Sequence, residues 1–588
     1  MIYNGIIGSG GIAIGRAYIL KKETVTINKD LIDDNRLNAE LNQVDEAVEL
    51  TKAQIARIKE RASEDFSAEE AAIFEAHLMI LEDPELINGI KELIINEKLH
   101  SANAATKVIE NFMDMFSNIE DEYLKERAAD IRDVGDRLIK NLLGVAVCDI
   151  GNFDTDVIIV AHDLTPSDTA LLDKKHVKGF ATDIGGRTSH TAIMARSLEI
   201  PAVLGLGNIS AKVRNDQMII VDGTGGIVIV DPDENTLSEY RKKLKKYDNY
   251  NNELKSISRL PSVTLDGKHI DIAANIGGPS DIGAVTEYGA DGVGLYRTEF
   301  LYMDRDRLPD ENEQFEAYRA VAEKLKGKPV IIRTLDIGGD KKLSYLPMQE
   351  ELNPFLGFRA IRLCLEMRDM FKTQLKAILR ASIYDNILIM YPMISSVDEV
   401  IEASKVLEEA KSELRAKGIG FDEGIKCGVM IEIPSAAMSA DILITEVDFF
   451  SIGTNDLCQY TLAVDRMNEK ISALYQPFHP AVLRLIKNVI DQSHKAGKFT
   501  GMCGELAGDP TATLLLLGMG LDEFSMSASS MLMVKKIVRS VSFEEAKKIA
   551  EHALKLKTST QIREYCEMAL KELKIDINQE DEKCMQKV

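Results

Sequence analysis

The chain has 588 residues, 45% of them hydrophobic and 28% charged. That length suits about three to four domains, fewer if one is a large barrel, and the balance is that of globular cores rather than of a disordered chain. Lys and Arg number 71 against 94 Asp and Glu, a formal charge of −23, which repels phosphate backbones and argues against a nucleic-acid partner. There is no run of about 18 apolar residues, and the start MIYNGIIGSGGIAIG lacks a basic stretch followed by an apolar one. Neither a membrane span nor a secretory signal is expected, and the expected location is the cytoplasm. Seven cysteines, odd in number and scattered without a CxxC pair, point to reduced thiols rather than a disulfide framework or a zinc site.

The first 20 residues carry apolar runs broken by glycines and read as two strands joined by a turn. GSGG is followed by more strand-like residues, not by a helix, so a dinucleotide-binding reading fails. From Asp33 to Leu143 apolar residues recur at three- and four-residue steps (Leu37, Leu41, Val44, Val48, Ile55, Ile58), which predicts a helical hairpin or bundle. Strand signals resume at Val157 and continue to Val230, so the helical part is read as an insertion in an α/β domain. Residues 233–259 are polar on most faces and suit an exposed linking helix. Beyond Pro261, eight short apolar segments alternate with helical ones, from Ile272–Asn275 to Glu523–Met526, the pattern of a (β/α)₈ barrel whose chemistry lies at the carboxyl ends of its strands.

Two places carry candidate chemistry. In GGRTSHTAIMAR, residues 185–196, glycines lead into a helix with Thr188 and Ser189 as possible caps and His190 in its first turn. The positive end of a helix dipole disfavours imidazolium, leaving a ring nitrogen nucleophilic, and favours a phosphoryl group carried there. In the barrel half, Arg297, Arg333, Arg359 and Arg466 stand after or near predicted strands and would bind phosphate and carboxylate in forked fashion. Glu432 in VMIEIPSA and Asp456 in SIGTNDLCQY follow successive strands and suit Mg²⁺, commonly held by one or two carboxylates plus substrate oxygens and water. Asn455 can donate to a phosphate oxygen, and Cys503, between a strand and Gly504, can donate a proton to an enolate. Plain readings exist for each: a capped helix with an incidental histidine, surface ion pairs, helix caps, an inert buried thiol.

GGRTSHTAIMAR resembles the phosphohistidine signature of the phosphoenolpyruvate-utilising enzymes. LYRTEFLYM, RTLDIGGDK, NPFLGFRAIR, MIEIPSA, SIGTNDLCQY and GMCGELAGDP resemble the phosphoenolpyruvate-binding barrel of the same family. The resemblance runs over nearly the whole chain and is nearest to its Enzyme I branch, which serves the bacterial sugar phosphotransferase system. It implies a multidomain α/β protein: a phosphohistidine domain (1–20 and 147–231), a helical subdomain (21–146) that binds the phosphocarrier HPr, a linker helix (232–260), a barrel (261–575) through which the protein forms a homodimer, and a tail (576–588). It further implies that His190 accepts the phosphoryl group of phosphoenolpyruvate and passes it to HPr with release of pyruvate. Thr169 would bond the other ring nitrogen, Arg297, Arg333 and Arg466 would grip the substrate, Glu432 and Asp456 would bind Mg²⁺, and Cys503 would donate the proton. Between Glu64 and Glu85 lie eight acidic residues and no Lys or Arg; HPr has a basic face, so Glu69, Glu70, His77, Asp83 and Glu85 become docking candidates. A dikinase or synthase of the family would need a further ATP-grasp domain, for which there is no room. A silent sensor is disfavoured by the complete His, Arg, Glu, Asp and Cys set.

Overall fold

The computed structural model describes residues 1–575 apart from 21–29, 66–67, 118–121, 146–152, 174, 187–188, 199, 304, 340–342, 344, 347–350 and 469; the side chains of 61–72, 116–129, 190, 197 and 251 also lie outside the description. The side chains of Glu69, Glu70 and His190, and the whole tail 576–588, therefore fall outside the described residues. The chain divides into two compact units, Met1–Tyr250 and a second beginning at Asn251.

In the first unit, eight strands form one sheet: β1 (Ile2–Asn4), β2 (Ile6–Ser9), β3 (Ile12–Leu20), β4 (Val157–Ala161), β5 (Val177–Thr182), β6 (Ala202–Leu204), β7 (Met218–Asp222) and β8 (Ile227–Val230). Their order is β1-β8-β7-β3-β4-β5-β6-β2. β3 to β6 run parallel, and the other pairings are antiparallel. The N-terminal segment thus forms three strands where two were expected. The second break falls at Gly11, whose φ of +105° is open to glycine and strained for other residues. β4 is buried along its whole length, as suits a central parallel strand with no polar face.

Five helices follow β3: Leu37–Asp65, Ala68–Glu82, Pro84–Glu97, Ser101–Ser117 and Glu122–Leu142. Val44, Val48, Ile55 and Ile58 of the first are buried, as their spacing predicts. The helices do not keep a separate core. Val44, Ile55, Phe74 and Leu138 belong to one apolar cluster with Ile159 and Phe180 of the sheet, so the insertion is fused to the domain that carries it.

The helix Glu234–Ser256 departs in part from the exposed linker read in the sequence. Leu237 and Tyr240, three residues apart, are buried against Ile220 and Ile229, and the Tyr240 hydroxyl donates to Asp222 Oδ2 at 3.2 Å. That contact fixes the first turns of the helix to the sheet.

The second unit contains a closed barrel of eight parallel strands: β9 (Asp271–Ile276), β10 (Val293–Arg297), β11 (Val330–Arg333), β12 (Ile387–Tyr391), β13 (Cys427–Ile431), β14 (Phe449–Ile452), β15 (Thr500–Met502) and β16 (Glu523–Met526). Side chains alternate across each strand. Ile332, Ile389, Ile431, Phe450 and Ile452 face outward into the large core beneath the helices. Leu295, Ile331, Met390, Met430, Phe449 and Cys503 form a smaller cluster inside the barrel, which is a packed core and not a pore.

Candidate active site

Every barrel residue singled out in the sequence lies at the carboxyl ends of the strands or in the segments that follow them. Arg297 ends β10, Arg333 ends β11, Glu432 follows β13, and Cys503 follows β15. Asn455 and Asp456 open the helix Thr454–Leu462 after β14. Arg359 precedes the helix Ile361–Glu366, and Arg466 follows Thr454–Leu462 by a short turn. Two non-glycine residues beside them have positive φ, Ala360 at 51° and Met393 at 57°. Such strain persists where surrounding contacts over-determine the backbone. At Met393 it accompanies an amide N–H donated to Glu432 Oε1 at 2.6 Å.

The arginines are held from behind by acids. Arg333 donates from Nη2 to Glu299 Oε1 at 2.7 Å and pairs through Nη1 with Asp336 Oδ2 at 3.0 Å. Arg359 donates from Nη2 to Asp336 Oδ1 at 2.8 Å, while its Nη1 lies 3.4 Å from both Asp456 Oδ2 and the Tyr460 hydroxyl. Asp336 therefore clamps two guanidinium groups. Arg297 is the register partner of Arg333 on the neighbouring strand and packs over the Phe300 ring. Arg466 fixes its backbone N–H on Gln459 Oε1 at 3.1 Å. In all four arginines Nε is buried and has no hydrogen-bond partner among the described residues. Buried donors are normally satisfied, so the four orphaned Nε groups set these arginines apart from ordinary surface ion pairs.

Glu432 and Asp456 are both buried. Burial pushes Glu432 up to about 8, with Asp456 and Asp336 adding to the effect and Arg333 and Arg359 opposing it. Burial likewise raises Asp456, against the pull of Arg359. Two neighbouring carboxyls with raised proton affinity are a site that gains from a bound cation. Among the described residues no group of three or more His, Cys, Asp or Glu can hold a metal alone. The donor set thus fits a hard cation that takes its remaining oxygens from water and substrate. Asn455 and Glu505 bond reciprocally, Nδ2 to Oε1 at 3.3 Å and the Glu505 N–H to Oδ1 at 3.1 Å, which ties the segments after β14 and β15 together. The Cys503 thiol is buried, and burial pushes it up to about 12, so it stays protonated at neutral pH.

In the first unit, His190 is the first residue of the helix His190–Ser197. Ser189 is the N-cap; its Oγ accepts from the Ala192 N–H at 3.3 Å and donates to the Gly186 carbonyl at 2.8 Å. Gly185 has φ +120°, a turn a side chain would strain. Thr191 Oγ donates to the Leu164 carbonyl at 3.0 Å, which joins this helix to the segment bearing Thr169. Thr169 is buried, and its hydroxyl donates to the Pro166 carbonyl at 2.9 Å. With its proton so committed, the oxygen is an acceptor only toward any further partner.

Of the docking candidates, Glu85 is exposed and Asp83 caps the helix Pro84–Glu97 by accepting from the Glu85 N–H at 2.8 Å. His77 is a correction. It is 0% exposed, with Nε2 at 3.4 Å from Asp130 Oδ1 and its ring edge-on to Phe74, so it shapes the helices from within and offers nothing to a docked surface. Sequence reasoning missed Glu299, Asp336 and Tyr460. The first two lie within motifs already singled out, LYRTEFLYM and RTLDIGGDK, where an acid within three residues of a strand-end arginine was the available signal.

Three models of the phosphoenolpyruvate-utilising enzymes match the chain: the N-terminal domain over residues 4–127, the mobile domain over 153–226 and the phosphoenolpyruvate-binding domain over 251–543. The chain is 51% identical over 561 residues to a phosphoenolpyruvate-protein phosphotransferase of Priestia megaterium, covering 95% of this chain and 98% of that one. It is 52% identical over 559 residues to its namesake from Geobacillus stearothermophilus, covering 95% and 96%. An NMR solution structure of an Enzyme I protein is 51% identical over 42% of this chain and 99% of that chain, with a TM-score of 0.38. The chain belongs to the phosphoenolpyruvate-utilising enzymes, and within them to the phosphotransferases that move the phosphoryl group of phosphoenolpyruvate onto protein in the sugar phosphotransferase system.

Proposed function

We propose that phosphoenolpyruvate binds at the barrel mouth, that its phosphoryl group passes in line to a ring nitrogen of His190, and that His190 then delivers it to a histidine of HPr. The observation that carries this reading is the gathering at the strand ends of Arg297, Arg333 and Arg359 with the buried Glu432–Asp456 pair. Arg297, Arg333, Arg359 and Arg466 bind and orient the phosphate and carboxylate, Asn455 donates to a phosphate oxygen, and Asp336 and Glu299 fix the arginine forks so that little reorganisation accompanies transfer. Glu432 and Asp456 hold Mg²⁺, which when bound neutralises charge on the transferring group. Cys503, kept as a thiol by its burial, protonates the enolate carbon to give pyruvate.

At the acceptor, a Thr169 hydroxyl that can only accept would, if it bonds His190, require the N–H tautomer on that ring nitrogen and leave the other nitrogen with its lone pair. The N-cap at Ser189 places His190 at the positive end of its helix, where a phosphoryl group is stabilised by about 0.3–1 kcal/mol. We assign residues 1–20 and 147–231 to the phosphohistidine domain, 21–146 to HPr binding, 232–260 to the linker, 261–575 to substrate binding and homodimerisation, and 576–588 to a tail. Glu85, Asp83 and, by sequence, Glu69 and Glu70 supply the acidic side of the docking face. Exposed Met79 and Met115 on the same helical insertion supply adaptable apolar contact. Mixing the protein with labelled phosphoenolpyruvate and Mg²⁺ is expected to give acid-labile phosphate on the protein. Label that never becomes covalent would refute the reading.

A further inference from the structure

One buried acid inside the barrel takes no part in the mechanism above. Glu523 opens β16 and is 4% exposed, and its Oε1 is buried with no hydrogen-bond partner among the described residues. Its side chain points into the lumen: a Cβ built on Gly294 would meet Oε1 at 2.5 Å, and one built on Gly501 would meet it at 2.8 Å. The carboxyl therefore occupies space that two glycines leave open.

The register shows what lies across that space. Ser451 on β14 is paired with Gly501 on β15, and Gly501 with Glu523 on β16, so the three form one row across the sheet. Adjacent strands are about 4.8 Å apart, and with no side chain at Gly501 or Gly294 the carboxyl of Glu523 reaches over both positions, the first of them one strand from Ser451. Ser451 Oγ is also buried and unpartnered among the described residues. Two residues beyond Gly501 on the same strand face stands Cys503, about 7 Å further along. Its thiol donates to the Ile452 carbonyl at 3.9 Å and has Ser451 as a side-chain neighbour. The carboxyl and the hydroxyl thus share one row, and the thiol stands one step nearer the mouth.

We propose that Glu523 resupplies the proton that Cys503 gives away, passing it through the barrel interior by way of Ser451 and not across the substrate-covered mouth. The inference rests on the reading of Cys503 as proton donor. In each turnover a C–H bond forms on the enolate as the S–H bond of Cys503 breaks, leaving a thiolate. The Ser451 hydroxyl, which forms neither hydrogen bond at rest, must turn to bridge the two groups; it then gives its proton to that thiolate as it receives one from the Glu523 carboxyl. Glu523, now a carboxylate, regains a proton from solvent at the amino end of β16.

The charges facing Glu523 favour this direction. Asp271 on β9 and Asp522 beside it both oppose its ionisation; Asp522 is itself bonded to His494 Nε2 at 2.7 Å. Burial first, and these two acids after it, push Glu523 up to about 8, against about 12 for Cys503. At neutral pH Glu523 thus holds a proton and releases it downhill to a thiolate.

Rapid-quench measurement of keto-pyruvate separates the two roles, with the full-length protein, phosphoenolpyruvate, Mg²⁺ and HPr from a close relative. Glu523→Gln is expected to form the first equivalent at the parent rate and then fall at least tenfold in steady state, losing any activity limb near pH 8. Ser451→Ala is expected to show the same split, and tests the idea even if Glu523→Gln does not fold. Steady-state rates within twofold of the parent in a folded variant overturn the proposal. Equal slowing of the first equivalent overturns it too, since Glu523 would then only position the thiol. Cys503→Ala supplies the separate arm: a normal first equivalent there overturns the reading of Cys503, whatever Glu523 does.

Discussion

Replacing Arg333 by Lys keeps the charge and removes the fork. In the parent, Nη2 and Nη1 are committed to Glu299 and Asp336 at 2.7 and 3.0 Å, which fixes the plane of the fork proposed to orient the substrate. Both acids are within 5% of full side-chain burial. One ammonium on a flexible stem cannot satisfy two fixed carboxylates and also present a planar donor to an anion. A hydrogen bond to a charged group contributes about 1.5–3 kcal/mol. The acid contacts are already present in the free protein, so only the lost substrate contact enters kcat/KM, about 1.5–3 kcal/mol or about one to two orders of magnitude at 1.36 kcal/mol per decade, while the lost acid contact lowers the unfolding temperature. The assay is the rate of protein phosphorylation by phosphoenolpyruvate with Mg²⁺ at subsaturating substrate, alongside thermal unfolding. A folded Arg333→Lys variant within fivefold of the parent would show that the fork does not serve the substrate.

Three further expectations follow from the geometry. Thr169→Val removes the acceptor that selects the His190 tautomer while keeping volume; a lost hydrogen bond of about 1 kcal/mol predicts roughly fivefold slower phosphorylation with unchanged KM for phosphoenolpyruvate, and a rate equal to the parent contradicts the assignment. With Glu432 raised to about 8, a cation must displace a proton below that pH. Its affinity, read by calorimetry with Mn²⁺, is expected to fall about tenfold per pH unit below 8 and to level off above it; a flat profile from pH 6 to 8 removes Glu432 from the site. Glu85→Lys, on an exposed side chain in the first turn of its helix, where the reversal costs about 0.3–1 kcal/mol of local stability, is expected to slow association with HPr and to weaken its salt dependence while leaving self-phosphorylation intact. Unchanged association places docking elsewhere.

What could be read from the sequence follows from how locally each feature is encoded. The barrel was legible because parallel strands buried on both faces are written as short apolar runs, and β16 begins and ends at the residues the pattern indicated. Site residues were legible where a motif places them at a strand end, as with Arg333 and Glu432. Asp336 was not, because its role depends on the segment between β11 and residue 361 folding back so that Arg359 meets it, a contact between residues 23 apart. His77 misled for the opposite reason. It lies in an acidic stretch of sequence, yet the helical period turns it inward with Phe74. Leu237 and Tyr240 carried a weak signal, two apolar residues one turn apart in a polar helix, that the polar background obscured.

The most direct test of the account is to locate the phosphate. After reaction with ³²P-labelled phosphoenolpyruvate and Mg²⁺, peptide mapping under alkaline conditions is expected to place one acid-labile label on His190, and His190→Ala is expected to remain folded and unlabelled. Label on another side chain, or undiminished labelling of His190→Ala, would contradict it.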